Sequence, residues 1–241
     1  MFHIAATTSV GLVREINEDS ASVNGQRLLE GHPFEARISL DPIFALVADG
    51  MGGHARGEIA SDTCLLELEK RAESLLENHD IIPAIRAANR AVYDLATSNP
   101  VYRGMGSTLV GVIITEKKCT WFNVGDSRAY LCRSGKLLQL SKDHVPSMTR
   151  GMSRSHIISQ SLGGAAYYTE VFPSTGSFNI TPGDRILLCS DGLTDVLSNK
   201  QIEDVVSVEE PSLCVSKLVE LVVAGGATDN TTVALLASSE N

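Results

Sequence analysis

Two periods of hydrophobic spacing alternate in blocks along this 241-residue chain. Ile43 to Ala48 is a continuous apolar run closed by Asp49-Gly50, which reads as a buried strand. From Ala55 to Asn78, Ile59, Cys64, Leu65, Leu68, Ala72, Leu75 and Leu76 recur at three- and four-residue steps and predict an amphipathic helix. Asp80 can cap a second helix with Pro83 in its first turn, where a missing N–H costs little. Its buried stripe is Ile85, Ala88, Val92 and Leu95, and it ends near Asn99-Pro100.

Beta blocks follow at Ser107 to Thr115, Thr120 to Val124, Arg128 to Cys132 and Leu137 to Leu140, parted by turn formers and suggesting an antiparallel meander. Val145 to Ala166 has no clean period and reads as a mobile surface loop. Arg185 to Cys189 is another buried strand, leading into Asp191-Gly192. Asn199 is placed to cap a helix through Val206, and Pro211 to open one that runs to Ala224 and stops at Gly225-Gly226. Thr231 to Ala237 closes the series as a strand. Grouped strands with helices inserted in pairs point to an antiparallel α+β architecture rather than a doubly wound parallel sheet. No linker, repeat or low-complexity tract divides residues 1–241, so one domain is expected.

Composition narrows the function. A net charge of −9 argues against a nucleic-acid or anionic-membrane surface, which would want clustered Lys and Arg. Cys64, Cys119, Cys132, Cys189 and Cys214 are odd in number, lack a Cys-x-x-Cys pair and mostly sit in apolar stretches, as reduced core thiols do. Met1 to Thr8 has neither a basic nor an apolar leader region, and Glu220 interrupts the apolar run Leu218 to Ala224. A soluble, cytoplasmic protein is expected, a monomer in the simplest case.

The candidate chemistry lies in four aspartates set in short runs of glycine and strand formers: Val47 to His54, Val124 to Arg128, Cys189 to Leu193 and Ala227 to Thr232. An acid at the end of an apolar run, followed by glycine, can present backbone and carboxylate oxygens to one point, which suits a hard cation. Arg14-Glu15-Ile16-Asn17-Glu18-Asp19-Ser20 adds a guanidinium ahead of paired carboxylates. If Glu18 and Asp19 meet Asp49, Asp191 and Asp229, each unshielded pair at ~4 Å repels by about 4 kcal/mol at an effective dielectric of ~20, so cations must be present. Oxygen ligands alone suit Mg²⁺ or Mn²⁺ better than zinc or copper. Two such ions about 3.5–4 Å apart can bridge a water, lower its pKa toward ~7 and aim it at phosphorus, making phosphoester hydrolysis the natural reaction. Arg14 can grip two phosphate oxygens with its planar fork. Singly, each piece has a plainer reading: Asp-Gly as a turn, Glu-Asp as a solvated loop, Arg14 as a surface charge. The whole set in this order is what points to catalysis.

The chain resembles the metal-dependent serine/threonine protein phosphatases of the type 2C class in their compact bacterial form. The resemblance is carried nearly end to end by Arg14 to Ser20, Val47 to His54 with Gly57-Glu58, Gly106 to Val110, Val124 to Leu131, Leu140 to His144, Ser190 to Ser198 and Asp229 to Val233. It implies a four-layer α/β/β/α sandwich of two central antiparallel sheets flanked by helices. By the same resemblance Asp49 bridges two metals, the Gly50 carbonyl serves the first, and Glu18, Asp191 and Asp229 complete the second. Asp19 acts from behind the ligands, Asp126 with Asp191 holds a third, weaker ion, and Arg14 binds phosphate. Ser107-Thr108 and Asn230 position the strands around the metals rather than react. Phosphorylated proteins, in particular targets of a cognate serine/threonine kinase, are the implied substrates. A catalytically inactive phosphoprotein-binding relative and a small-molecule phosphoesterase of the same fold stay open as alternatives.

The chain departs from the family pattern in two places. Met51 stands where animal members have a histidine proposed as general acid, with His54 three residues on. The stretch between His144 and Leu162-Gly163 is short, so a more open cleft with few direct substrate contacts is expected.

Overall fold

The computed structural model describes residues 1–39, 42–52, 56–72, 75, 81–115, 118–146 and 157–239. One sheet runs β10 (Lys136–Gln139), β9 (Arg128–Arg133), β13 (Arg185–Cys189), β14 (Thr231–Ser238), β1 (Phe2–Ser9), β4 (Phe34–Ile38). The other runs β11 (Leu162–Gly163), β6 (Gly106–Ser107), β5 (Ile43–Met51), β7 (Leu109–Thr115), β8 (Lys118–Val124), β12 (Ser174–Asn179). A branch, β2 (Asp19–Val23) with β3 (Gln26–Arg27), also hydrogen-bonds to β5. All of these pairings are antiparallel.

Strand alternation builds the layers. Along β5, Ile43, Ala45 and Val47 join Ile4, Ala6, Val112, Leu131, Leu188, Ala234 and Leu236 in a core between the sheets. The intervening Phe44, Leu46 and Ala48 pack with Cys64, Leu65 and Leu68 of α1 (Gly57–Glu69) and Ile85, Ala88 and Val92 of α2 (Ile81–Ser98). On the far side, Tyr130, Leu187, Val233 and Leu235 pack with Ile202, Val205 and Val206 of α4 (Asn199–Val206) and Val215, Leu218 and Val222 of α5 (Pro211–Ala224). Successive strand side chains point to opposite faces, so strands buried on both faces read as unbroken apolar runs. The result is the expected α/β/β/α sandwich.

Three expectations shift. The meander is divided: β7 and β8 pair in one sheet and β9 and β10 in the other, and the chain changes sheets at Gly125-Asp126-Ser127. The first helix ends at Glu69 rather than Asn78, and Ala55, Asn78 and the candidate cap Asp80 lie outside the described residues. Asn199 is the first residue of α4 and Ser198 is its cap, in a reciprocal box with Gln201. β1, β2, β3, β4, β11 and β12 have no counterpart among the predicted elements, and β11 falls inside the stretch expected as a surface loop. Part of the expected surface loop, residues 147–156, lies outside the described residues.

Candidate active site

The ends of β2 and β5 meet at the rim of the inter-sheet core. Asp19, the first residue of β2, lies opposite Asp49 in register, and Gly50 lies opposite Ser107 of β6. Thr108 fixes the Asp49 backbone from both sides: its N–H donates to Asp49 O at 2.8 Å, and its Oγ1 accepts from Asp49 N at 3.0 Å. Ser107 is fully buried, and its hydroxyl donates to the carbonyls of Thr108 and Asp49 at 2.8 and 3.2 Å. That is a positioning role and not a nucleophile's.

The glycines that follow the acids are not turn residues. Gly50 lies within β5, and a Cβ there would stand 2.1 Å from Gly57 O and 2.6 Å from Glu18 O. Gly192 lies in the short helix α3 (Asp191–Thr194), where a Cβ would meet Asn230 O at 2.0 Å. Close backbone approach requires glycine at both. It draws the segments bearing Glu18, Asp49, Asp191 and Asp229 together.

Glu18 precedes β2 and accepts the Gly57 N–H, at the N-terminus of α1, at 3.0 Å. Its own N–H donates to Asn230 Oδ1 at 2.9 Å, while Asn230 Nδ2 donates to Val10 O and Ile16 O, both at 3.0 Å. Asn230 therefore ties the Arg14-bearing loop to the strand that follows Asp229. Arg14, about half exposed, donates to Asp229 Oδ2 at 2.7 Å.

Burial raises five of the acids, Glu18, Asp19, Asp49, Asp126 and Asp191. Burial, joined by the charges of Asp19 and Asp191, pushes Asp49 well above the usual carboxylate range. Burial and the charges of Asp126 and Asp195 push Asp191 up to about 7. Asp19 is pushed up to about 6 by burial, with the Asp229 and Glu18 charges adding to it and two hydroxyls opposing it. Those hydroxyls, Ser190 Oγ and Thr232 Oγ1, both donate to Asp19 Oδ2 at 2.7 Å, while Asp19 Oδ1 is buried without a hydrogen-bond partner. Asp126, in the crossover between the sheets, is raised by burial and by the charges of Asp143 and Asp195. Glu18 is raised chiefly by burial. These shifts link Glu18, Asp19, Asp49, Asp126, Asp191 and Asp229 in one neighbourhood, with the Gly50 backbone among them and Arg14 at its edge.

The donor set fits hard divalent cations. Only oxygen is offered, the acids outnumber the neighbouring guanidinium, and one buried carboxylate oxygen lacks a donor, as expected where a positive charge belongs.

Other candidates fall away from the chemistry. His144 is buried, accepts the Gly125 N–H on Nδ1 at 3.1 Å and bonds Ser174 Oγ through Nε2 at 2.9 Å. Burial lowers its pKa and favours the neutral ring, so it holds the crossover rather than a proton. The Met51 Cε reaches the positions of Gly106 and Gly164, a packing contact with β6 and the residue after β11. His54 lies outside the described residues. The sequence reading gave no role to Ser190, Thr232 or Asp195. Ser190 and Asp195 flank Asp191 closely enough to have signalled themselves, but only folding brings Thr232 onto Asp19.

A family model described as protein phosphatase 2C matches residues 36–220. A serine/threonine protein phosphatase of Mycobacterium tuberculosis, PstP, is 34% identical over 246 residues, covering 95% of this chain and 43% of the relative. The chain thus spans less than half the length of that relative. A putative protein phosphatase 2C-type of Streptococcus pyogenes is 32% identical over 213 residues, 79% of this chain and 84% of the relative. Among solved structures, the catalytic domain of PstP in complex with two manganese ions superposes with a TM-score of 0.79 at 31% identity, covering both chains completely. The S. agalactiae serine/threonine phosphatase gives 0.83 at 29% identity, over 99% of this chain and 100% of that one. With the family model spanning well over half of its residues, this chain belongs to the protein phosphatase 2C family.

Proposed function

We propose that residues 1–241 act as one catalytic unit, a metal-dependent phosphatase that hydrolyses phosphoserine and phosphothreonine in proteins by direct attack of water, without a phosphoenzyme. The observation that carries the reading is the cluster of Asp19, Asp49 and Asp191, with raised pKa values and a buried unpartnered Asp19 oxygen, beside the Arg14 guanidinium.

Glu18, Asp49, the Gly50 carbonyl, Asp191 and Asp229 would hold two Mn²⁺ or Mg²⁺ ions, and Asp126 with Asp191 a third, weaker one. When bound, the ions neutralise these acids and make water nucleophilic near neutral pH. The chain's own residues set the geometry. Thr108 and Ser107 lock the Asp49 backbone, and Ser190 and Thr232 anchor one Asp19 oxygen and leave the other buried without a donor. Arg14, poised on Asp229 and half exposed, offers its fork to phosphate oxygens and offsets charge as the ester breaks. Protein substrates are supported by the bacterial relatives named as serine/threonine phosphatases, and opposition to a cognate serine/threonine kinase is part of the same proposal. Buried, unpaired thiols at all five cysteines suit a reducing cytoplasm. No helix among the described residues is long and apolar enough to cross a membrane.

Phosphate release from a phosphothreonine peptide tests the reading. Release that requires Mn²⁺, stops with EDTA and is lost in Asp191→Ala is expected. A folded protein that binds Mn²⁺ yet releases no phosphate from any peptide would overturn it.

A further inference from the structure

Leu12, Val13 and Ile16 stand 64%, 65% and 53% exposed on the loop that presents Arg14. Single exposed aliphatic residues are ordinary, but three within five residues, on the loop that carries Arg14, concentrate exposed apolar surface of the kind that marks a contact surface. The loop is held rigidly. Val10 N donates to Glu30 Oε1 at 2.9 Å, Gly11 N to Ser9 Oγ at 3.2 Å, and Leu12 N to Ala227 O at 2.9 Å. Asn230 grips Val10 O and Ile16 O from beneath. Gly11 sits so tightly on the Asp229 segment that a Cβ would meet Asp229 O at 2.5 Å. An apolar rim is thus fixed to the same backbone as the acid cluster.

We infer that Leu12, Val13 and Ile16 form a docking rim for aliphatic side chains flanking the phosphorylated residue of a protein substrate. The inference rests on the phosphatase reading and adds a preference to it. The occupant follows from the position of Arg14 within the patch. A chain whose phosphate engages Arg14 advances about 3.3 Å per residue when extended, so its nearest neighbours in sequence pass over residues 12 to 16. Glu15, exposed between Arg14 and Ile16, repels acidic flanks, so the favoured flank is aliphatic and not acidic. Covering the rim removes apolar surface from water only when such a side chain is present. The preference therefore appears on peptides and not on a small phosphoester.

The test uses two phosphothreonine peptides differing only in Leu or Ser at the flanking positions, with p-nitrophenyl phosphate as a substrate too small to reach the rim. The intact protein is expected to favour the Leu peptide by about tenfold in kcat/KM, mainly through KM. Leu12→Ser combined with Val13→Ser should bring the two peptides within about twofold, with p-nitrophenyl phosphate turnover retained. If the pair impairs folding, each substitution alone carries the test and should remove part of the preference. Equal rates on both peptides with the intact protein, or a preference that survives the substitutions, would overturn the rim. So would substitutions that alter only self-association in sedimentation, which would assign the patch to a second copy of the chain. Turnover of p-nitrophenyl phosphate with neither peptide cleaved would overturn the protein-substrate reading and the rim with it, a result distinct from failure of the rim alone.

Discussion

Asp184 and Asp19 are both buried carboxylates, 1% and 8% exposed, yet their surroundings drive them in opposite directions. At Asp184, before β13, burial favours the neutral acid, but the donors outweigh it. Arg133 donates to both oxygens at 2.7 Å, Thr181 adds its N–H at 2.8 Å and its hydroxyl at 3.1 Å, and the pKa falls below the usual value. Asp19 has two hydroxyls on one oxygen and nothing on the other, among acids, and rises to about 6. Asp184 is a charge the fold completes by itself. Asp19 and its neighbours are left incomplete by the fold, as the cation site proposed above requires.

The largest expected effect comes from removing an acid of the incomplete cluster. Asp191→Ala should lower Mn²⁺-dependent phosphate release by about a thousandfold, since metal stabilisation of the reacting charge is worth several kcal/mol. It should also abolish the rise in melting temperature on adding Mn²⁺, which for the intact protein at a hundred times the dissociation constant corresponds to about 2.7 kcal/mol. A variant that keeps the Mn²⁺ shift would remove Asp191 from the ligands.

Next comes Thr232→Val, which preserves shape and deletes one of the two donors to Asp19. Groups that orient metal-binding residues typically contribute tenfold to a hundredfold in affinity, so calorimetry should show Mn²⁺ binding weakened by about tenfold. Unchanged affinity would mean that the Ser190 hydroxyl suffices to hold Asp19.

Asp184→Asn is smaller and falls on stability alone. It removes the charge that pairs the partly exposed Arg133, and the loss should be about 2 kcal/mol, or roughly 4–8 °C in melting temperature for a chain of this size. Mn²⁺ affinity and turnover should not move. If they did, the two carboxylate neighbourhoods would not be independent.

The same contrast explains what could be read from the sequence. Asp49-Gly50 and Asp191-Gly192 were legible because close backbone approach leaves room only for glycine and because apolar runs announce the preceding strands. α5 was legible down to its end residues, since Pro211 and Gly225 mark them locally, and α4 to within one residue, its cap being Ser198 and not Asn199. β6 and β11 were not, being two residues each and existing only through pairing with each other and with β5. The division of the meander was hidden too, because the crossover at Gly125 depends on His144, 19 residues later, for its hydrogen bonds. The donors to Asp19 arrive from Ser190 and Thr232, 171 and 213 residues away. Charge clusters can thus be inferred from composition and order, while the hydroxyls that orient them belong to tertiary structure.

The smallest prediction separates charge from mere hydrogen bonding at Asp184. Its folded pKa lies below the unfolded value of about 3.9, so the stability it contributes is fully present above that pH and lost as pH falls through the folded value. The difference in unfolding free energy between the intact protein and Asp184→Asn should therefore be constant from about pH 6 to 5 and shrink below about pH 4. Taking the difference, in EDTA, cancels the titration of the clustered acids common to both proteins. Urea unfolding at several pH values supplies the measurement. A difference that stays flat to about pH 3 would mean that Arg133 and Thr181 recognise the shape of the carboxyl and not its charge, and the opposition between the two neighbourhoods would then rest on donor count alone.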